Sequence, residues 1–295
     1  MQDDPIQPNI NSWLEDELFQ QYKHDRKTVD ATWTSVLEGN GHTAQPAAKT
    51  ALAEPPSRAI AVRATETPAV AVSEDDQLIP LRGPALRIAE NMAASLTMPV
   101  ATSQRSMPVK VIDENRRLIN QHRAAAGRSK LSYTHLVAWS IVRAIEAVPA
   151  MNQAYSGRGD ESFRVARGHV NLGIAVDVAG KDGSRSLKVP GIKHAEAMNF
   201  TQFIAYYDDL VARARGNKLA VADFEGVTIS LTNPGTVGTV GSIPRLMPGQ
   251  GAIIATGAID YPPEYRGVSE DVRSSLGLSK VMTVTCTYDH RVIQG

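Results

Sequence analysis

From Val281 to Tyr288 apolar and polar side chains alternate, and β-branched residues dominate. A period of two predicts a β-strand with unlike faces. The strand runs straight into Asp289, His290 and Arg291. Elsewhere the period changes to that of a helix. Leu86, Ala89, Met92, Ala93 and Leu96 fall on one helical face, which ends before Pro99. Val100 to Val111 reads as extended and Ile112 to Ala126 as a helix, with Gly127 just past its end. Ser132 caps a third helix whose core side is Leu136, Val137, Ile141, Ala144, Ile145 and Val148, and Pro149 follows its stop. His169 opens a strand from Val170 to Val178, Lys181 to Gly183 turns, and Ser186 to Pro190 returns as a hairpin. Phe200, Phe203, Ile204, Tyr207, Leu210 and Val211 mark a fourth helix. Strands follow at Val227–Leu231, Gly251–Ile259 and Val281–Tyr288. Helices first, then strands interleaved with one long helix, predict an α+β sandwich with a mixed sheet rather than a doubly wound fold.

The pattern divides the chain into three. Residues 11–38 carry two short amphipathic helices: Ser12 and Glu15 form a capping box, and Leu14, Leu18 and Tyr22 make a stripe. Trp33, Val36 and Leu37 line the second helix behind Asp30. Two such helices bury little surface alone, so the segment reads either as a frayed tail or, as Trp13 and Trp33 favour, as a docking segment that completes its core on a partner. Residues 39–78 are rich in Ala, Pro, Thr, Glu and Ser and lack Phe, Trp and Tyr, the composition of a flexible linker. Residues 79–295 are the folded body.

Composition removes several functional classes. Lys plus Arg and Asp plus Glu both number 31, so the formal charge is zero and no basic face for nucleic acid is implied. One cysteine, Cys286, excludes a disulfide framework and a cysteine-based zinc site within the chain, and its place on a strand predicts a buried, inert thiol. The N-terminus has no apolar signal core, and no run approaches the roughly 18 apolar residues of a membrane span. The expectation is a cytoplasmic protein with no membrane partner.

Of seven histidines, His24 and His42 fall in the tail and linker, and His122 and His194 among charged residues. His135 sits where it would pack or cap a helix, and His169 is ambiguous. His290 ends a strand between Asp289 and Arg291, where the sheet fixes its backbone and a loop leaves its ring open. As a structural histidine it would be hydrogen-bonded there. As a catalytic one it would be a general base. A second stretch places hydroxyls on alternate residues, Thr228, Ser230 and Thr232, before the turn Asn233-Pro234-Gly235. A hydroxyl held there either braces the turn or donates to a developing oxyanion. The glycines at 235, 238 and 241 recur every three residues, but no Gly-Lys-Ser/Thr follows. HExxH, GxSxG and dinucleotide fingerprints are absent.

Asp289-His290-Arg291-Val292-Ile293-Gln294-Gly295 resembles the Asp-His-Arg-x-x-Asp-Gly motif of the 2-oxoacid dehydrogenase acyltransferases. Further similar blocks are Arg87 to Leu96, Leu131 to Leu136 running on to Asn152, Val170 to Val176, and Thr228 to Gly235. The resemblance covers residues 80–295 and implies the chloramphenicol acetyltransferase-like two-layer sandwich and a trimer. It implies His290 as base on the thiol of coenzyme A and Thr232 as oxyanion donor from an adjacent subunit. Asp289, Arg291 and Gln294 would orient and support them. Gln294 departs from the motif, whose aspartate it replaces: it can hydrogen-bond but cannot pair ionically. The tail, from Ser12 to Glu15 and from Val29 to Trp33, is similar to the N-terminal segment of the 2-oxoglutarate dehydrogenase decarboxylase. The order of tail, linker and acyltransferase resembles the front of the fused 2-oxoglutarate dehydrogenases of actinobacteria, so the chain reads as a portion of a longer protein. What this implies is succinyl transfer between dihydrolipoamide and coenzyme A in the tricarboxylic acid cycle. The lipoyl group would come from another protein of the complex, because no lipoyl-site hairpin precedes residue 79. Thiamine diphosphate and magnesium would belong only to the decarboxylase part, and no covalent cofactor is expected. The competing reading is a trimeric scaffold of the complex with weak or no transferase activity.

Overall fold

The structure is a computed structural model that describes residues 70–179, 183 and 185–294. The helices predicted over 11–38 and the linker up to residue 69 lie outside the described residues, as does most of the turn at Lys181. From Gln77 onward the chain forms one compact unit.

Its helices are α1 (Pro84–Ser95), α2 (Lys110–Ala125), α3 (Tyr133–Ala147), α4 (Phe200–Arg215) and α5 (Glu270–Ser275). Its strands are β1 (Val100–Pro108), β2 (Ala154–Arg158), β3 (Glu161–Val165), β4 (Leu172–Ile174), β5 (Val176–Ala179), β6 (Arg185–Lys188), β7 (Gly191–Ile192), β8 (Ile229–Thr232), β9 (Ala252–Thr256) and β10 (Val281–Asp289). Six strands form one mixed sheet in the order β1-β10-β9-β8-β4-β7. β4, β8 and β9 run parallel and the other neighbours antiparallel. The expected mixed α+β sandwich is the one observed.

The sheet has two unlike faces because its strands alternate in register. Leu231, Ile254 and Cys286 stand side by side on one face. They join the core with Leu136, Ile141 and Ile145 of α3 and Phe203, Ile204 and Leu210 of α4. On the other face Ser230, Ile253, Thr287 and Thr102 form a row. The Ser230 and Thr287 hydroxyls there are buried, and they are satisfied by Ser230 Oγ donating to Gln250 Oε1 at 2.8 Å and by a 3.0 Å bond between Thr287 and the exposed Thr102. Such pairing removes the cost of burying a polar atom.

Helix starts follow local chemistry. In α3, Ser132 is the N-cap and His135 takes the place of the usual glutamate in the capping box, its Nδ1 accepting from the Ser132 backbone N–H at 3.1 Å. In α4, Asn199 and Gln202 exchange two bonds of 2.9 Å.

Several boundaries differ from the sequence reading. α2 begins at Lys110 rather than Ile112, because Val109 leaves the strand to bury its side chain and donate to the Lys280 carbonyl. In α3 the core positions are Leu136, Ala138, Ile141, Val142 and Ile145, whereas Ala144 and Val148 are exposed. The strand expected over Val170–Val178 breaks at Ala175, whose N–H reaches across to the Leu231 carbonyl. Before the break the chain belongs to the main sheet; after it, β5 pairs with β6 in the expected hairpin. The hairpin of β2 and β3, turning at Gly159 with a φ of 58°, has no counterpart in the sequence reading. α1 forms where its period predicts, but Leu86, Ile88, Met92 and Leu96 are all exposed.

Candidate active site

The end of β10 is tied down on every side except one. The Asp289 backbone N–H donates to the Gly251 carbonyl at 3.1 Å, and that of His290 to the Pro99 carbonyl at 3.0 Å. The Asp289 carboxylate is buried and grips its neighbour. Arg291 donates from its backbone N–H and Nε to Oδ1 at 3.0 and 2.9 Å, and from Nη2 to Oδ2 at 2.7 Å. This two-pronged pair has the geometry in which arginine binds a carboxylate most strongly, and the bond to Asp289 raises the Arg291 pKa above its ordinary value. The Arg291 guanidinium also lies 3.8 Å above the Tyr155 ring of β2. Val292 and Ile293 then turn back into the core.

His290 is what this knot leaves outside. Its backbone is fixed, its side chain is exposed, and its ring lies 6.0 Å from that of Tyr288. No described residue hydrogen-bonds its imidazole. Beyond it Gln294 is exposed and lines a cavity of about 700 Å³ together with Val148, Tyr155, Phe163, Arg164 and Arg291. Tyr155, Ser162, Phe163 and Arg164 of that wall come from the β2–β3 hairpin that the sequence reading missed. The signal available was the alternation of Tyr155 and Gly157 with Phe163 and Val165 around Gly159-Asp160.

Thr232 ends β8. Of the three alternating hydroxyls, Thr228 donates to Asn152 Oδ1 at 2.5 Å and Ser230 to Gln250, whereas no described residue hydrogen-bonds the Thr232 side chain. The turn that follows is held by Asn233, whose Nδ2 donates to Thr134 Oγ1 at 2.7 Å. Gly235 is required there: a Cβ would stand 2.3 Å from the Gly257 carbonyl group. Asn233, Gly235 and Thr236 face Ser132, Tyr133 and Thr134 across a second cavity of about 220 Å³.

The two candidate groups are not together. Thr232 is level with Ala255, and Ala255 with Thr285, so His290 lies five residues farther along β10, past the opposite end of β9. At about 3.4 Å per residue and about 4.8 Å per strand, their backbones are roughly 20 Å apart. The fold holds both at the ends of hydrogen-bonded strands.

The other candidates have plain roles. Burial pushes the Cys286 thiol up to about 11, so it stays protonated, as its strand position predicts. His135 is buried as a cap, with Nε2 2.8 Å from Asp208 Oδ1. His122 lies in the last turn of α2. His169 and His194 are exposed and meet one another. Among the described residues, no helix is long and apolar enough to cross a membrane.

Sheet order, helical layer and the knot at Asp289 together define an acyltransferase fold, and residues 73–295 match the family described as 2-oxoacid dehydrogenases acyltransferase (catalytic domain). The chain belongs to that family. It is 43% identical over 329 aligned residues to the multifunctional 2-oxoglutarate metabolism enzyme of Mycolicibacterium vanbaalenii, a match covering 97% of this chain and 26% of the relative. It is 42% identical to the 2-oxoglutarate dehydrogenase E1/E2 component of Corynebacterium glutamicum, with the same shares covered. The chain thus spans about a quarter of the length of these relatives. Among solved structures, the catalytic core of the 2-oxoacid dehydrogenase multienzyme complex from Thermoplasma acidophilum superposes with a TM-score of 0.60 at 25% identity, over 75% of this chain and 91% of that one. The Azotobacter vinelandii dihydrolipoamide acetyltransferase superposes with a TM-score of 0.64 at 22% identity, over 78% and 91%.

Proposed function

We propose that this chain transfers a succinyl group between dihydrolipoamide and coenzyme A, using His290 as general base and Thr232 of a neighbouring copy as oxyanion donor. The observation that carries this reading is the separation of the two groups. Each stands at the end of a braced strand, and a single copy holds them too far apart to touch one acyl carbon. A ring of copies that sets the end of β10 against the end of β8 of the next brings them together, as a closed heterologous interface does. A homotrimer is the form proposed here.

The chemistry then follows from what each group offers. A thiol with an ordinary pKa of about 8.5 is mostly protonated at neutral pH. His290 accepts its proton, and the thiolate attacks the thioester carbonyl. The developing oxyanion takes a hydrogen bond from Thr232 Oγ1, a contact worth about 3 kcal/mol in the transition state. The tetrahedral intermediate collapses with departure of the other thiolate, which recovers the proton from His290. Asp289 and Arg291 do not touch the reacting atoms in this scheme; they hold the loop. The names of the two bacterial relatives support succinyl as the acyl group, and the lipoyl group is supplied by a lipoylated partner. The domain division proposed is the tail over 1–38, the linker over 39–78 and the catalytic domain over 79–295, in a cytoplasmic complex.

Two assays test the reading. Transfer from succinyl-CoA to free dihydrolipoamide should be abolished by His290→Ala. Mixing His290→Ala with Thr232→Ala after dissociation and reassembly should restore about a quarter of the parental sites, because random assembly sets an intact histidine beside an intact threonine that often. Inactive mixtures of correctly assembled variants would show that the two residues do not share a site between copies. A folded, assembled parent without transfer would favour the scaffold.

A further inference from the structure

Outside the residues given to acyl transfer, one cluster of side chains has the composition of a ligand set. His169 lies just before β4, and His194 and Glu196 lie in the turn after β7. One ligand-capable atom from each falls within 4.8 Å of the other two. His169 Nδ1 is 2.8 Å from Glu196 Oε1, and the two imidazoles meet edge to face with centroids 4.1 Å apart. Both histidines are exposed, so an ion reaches them without any opening of the fold.

We propose that His169, His194 and Glu196 form a divalent-cation site of zinc type, with its remaining position open to water. Two imidazoles and one carboxylate are a donor set that zinc uses with three protein ligands. Bond lengths of about 2.0–2.1 Å place tetrahedral ligand atoms about 3.4 Å apart. The present spacing therefore closes by about 1.4 Å or less, a change that exposed imidazoles make by rotating about χ1 and χ2.

The surroundings hold these side chains for the purpose. The second oxygen of Glu196 accepts from the Val170 backbone N–H at 2.9 Å, which aims the first. His194 adopts a left-handed backbone with a φ of 49°, which is uncommon for a residue other than glycine. The Asn171 side chain braces it by accepting from its backbone N–H at 3.0 Å. Supporting bonds of this kind orient ligands in metal sites. Arg143 donates to the Glu196 carbonyl rather than its carboxylate, and pairs with Glu146 at 2.8 Å. An ion here would staple the approach to β4 to the exit from its antiparallel neighbour β7.

The test is a zinc titration of the chelator-treated protein by calorimetry, with the melting temperature followed in parallel. The parent should bind about one zinc per chain and melt at a higher temperature with zinc, since a ligand of the native state stabilises it. His194→Asn is the first variant, because asparagine tolerates the left-handed backbone that alanine does not. Glu196→Gln is the second. Each should weaken zinc affinity about tenfold or more and remove the thermal shift. Its melting temperature in chelator reports whether the fold is intact. Zinc binding that is undiminished in both variants, or absent in the parent, would overturn the site.

Discussion

At the scale of single residues, the knot at the end of β10 separates positioning from chemistry. Asp289 is buried and Arg291 is its ionic partner, so removing the arginine leaves a carboxylate without compensation. Arg291→Ala is expected to cost about 3 kcal/mol in stability, read as a lower midpoint in urea unfolding. Arg291→Lys keeps the charge but loses the fork and the stacking on Tyr155, and should lower kcat more than it raises KM. Gln294 behaves differently. It is exposed, no described residue hydrogen-bonds it, and Val292 and Ile293 anchor the loop beside it. Gln294→Asp should therefore change succinyl transfer by less than about tenfold, since it adds a charge without a fixed partner. A gain of several orders of magnitude would show that the loop needs an ion pair there.

At the scale of elements, helix caps carry an acid sensitivity. Burial lowers the His135 pKa below its ordinary 6.5, more than the neighbouring Asp208 raises it. The folded state therefore prefers the neutral ring, and the unfolded chain binds the extra proton first. Stability from this residue is fully present above about pH 6.5 and is lost as the pH falls through the lower folded value. Thermal melts should show a falling midpoint as the pH drops through that range, with the slope reduced in His135→Gln, which retains a hydrogen-bonding side chain for the cap. Asn199→Ala should cost about 1 kcal/mol in the same melts, because it removes one side of the reciprocal box that starts α4.

At the scale of the whole molecule, the sheet holds the two candidate groups at opposite ends of β8 and β10, with β9 between them. If the working site forms between copies, specific activity should fall on dilution in step with dissociation, measured by sedimentation across the same concentrations. Activity that stays constant in a demonstrated monomer would contradict a shared site. Much of this architecture was legible beforehand. The alternation of β10, the period of α3 and α4, the turn at Asn233-Pro234-Gly235 and the motif from Asp289 each predict what is seen, because hydrophobic period and turn chemistry are local properties. The motif also offered His290 as a candidate, and the separate block from Thr228 to Gly235 offered Thr232. Three things were not local. Whether the strand after His169 stays in one sheet depended on Ala175 finding Leu231, more than fifty residues away. The wall of the larger cavity depended on a short hairpin with a weak apolar pattern. The meeting of His169, His194 and Glu196 depended on the antiparallel pairing of β4 with β7. Sequence alone determined the strongly periodic helices and strands, such as α3, α4 and β10, and which residue types could carry chemistry, since each depends on neighbours within a few positions. Only the tertiary structure decided which of those residues share a place, because strand order and register set distances that no spacing along the chain contains.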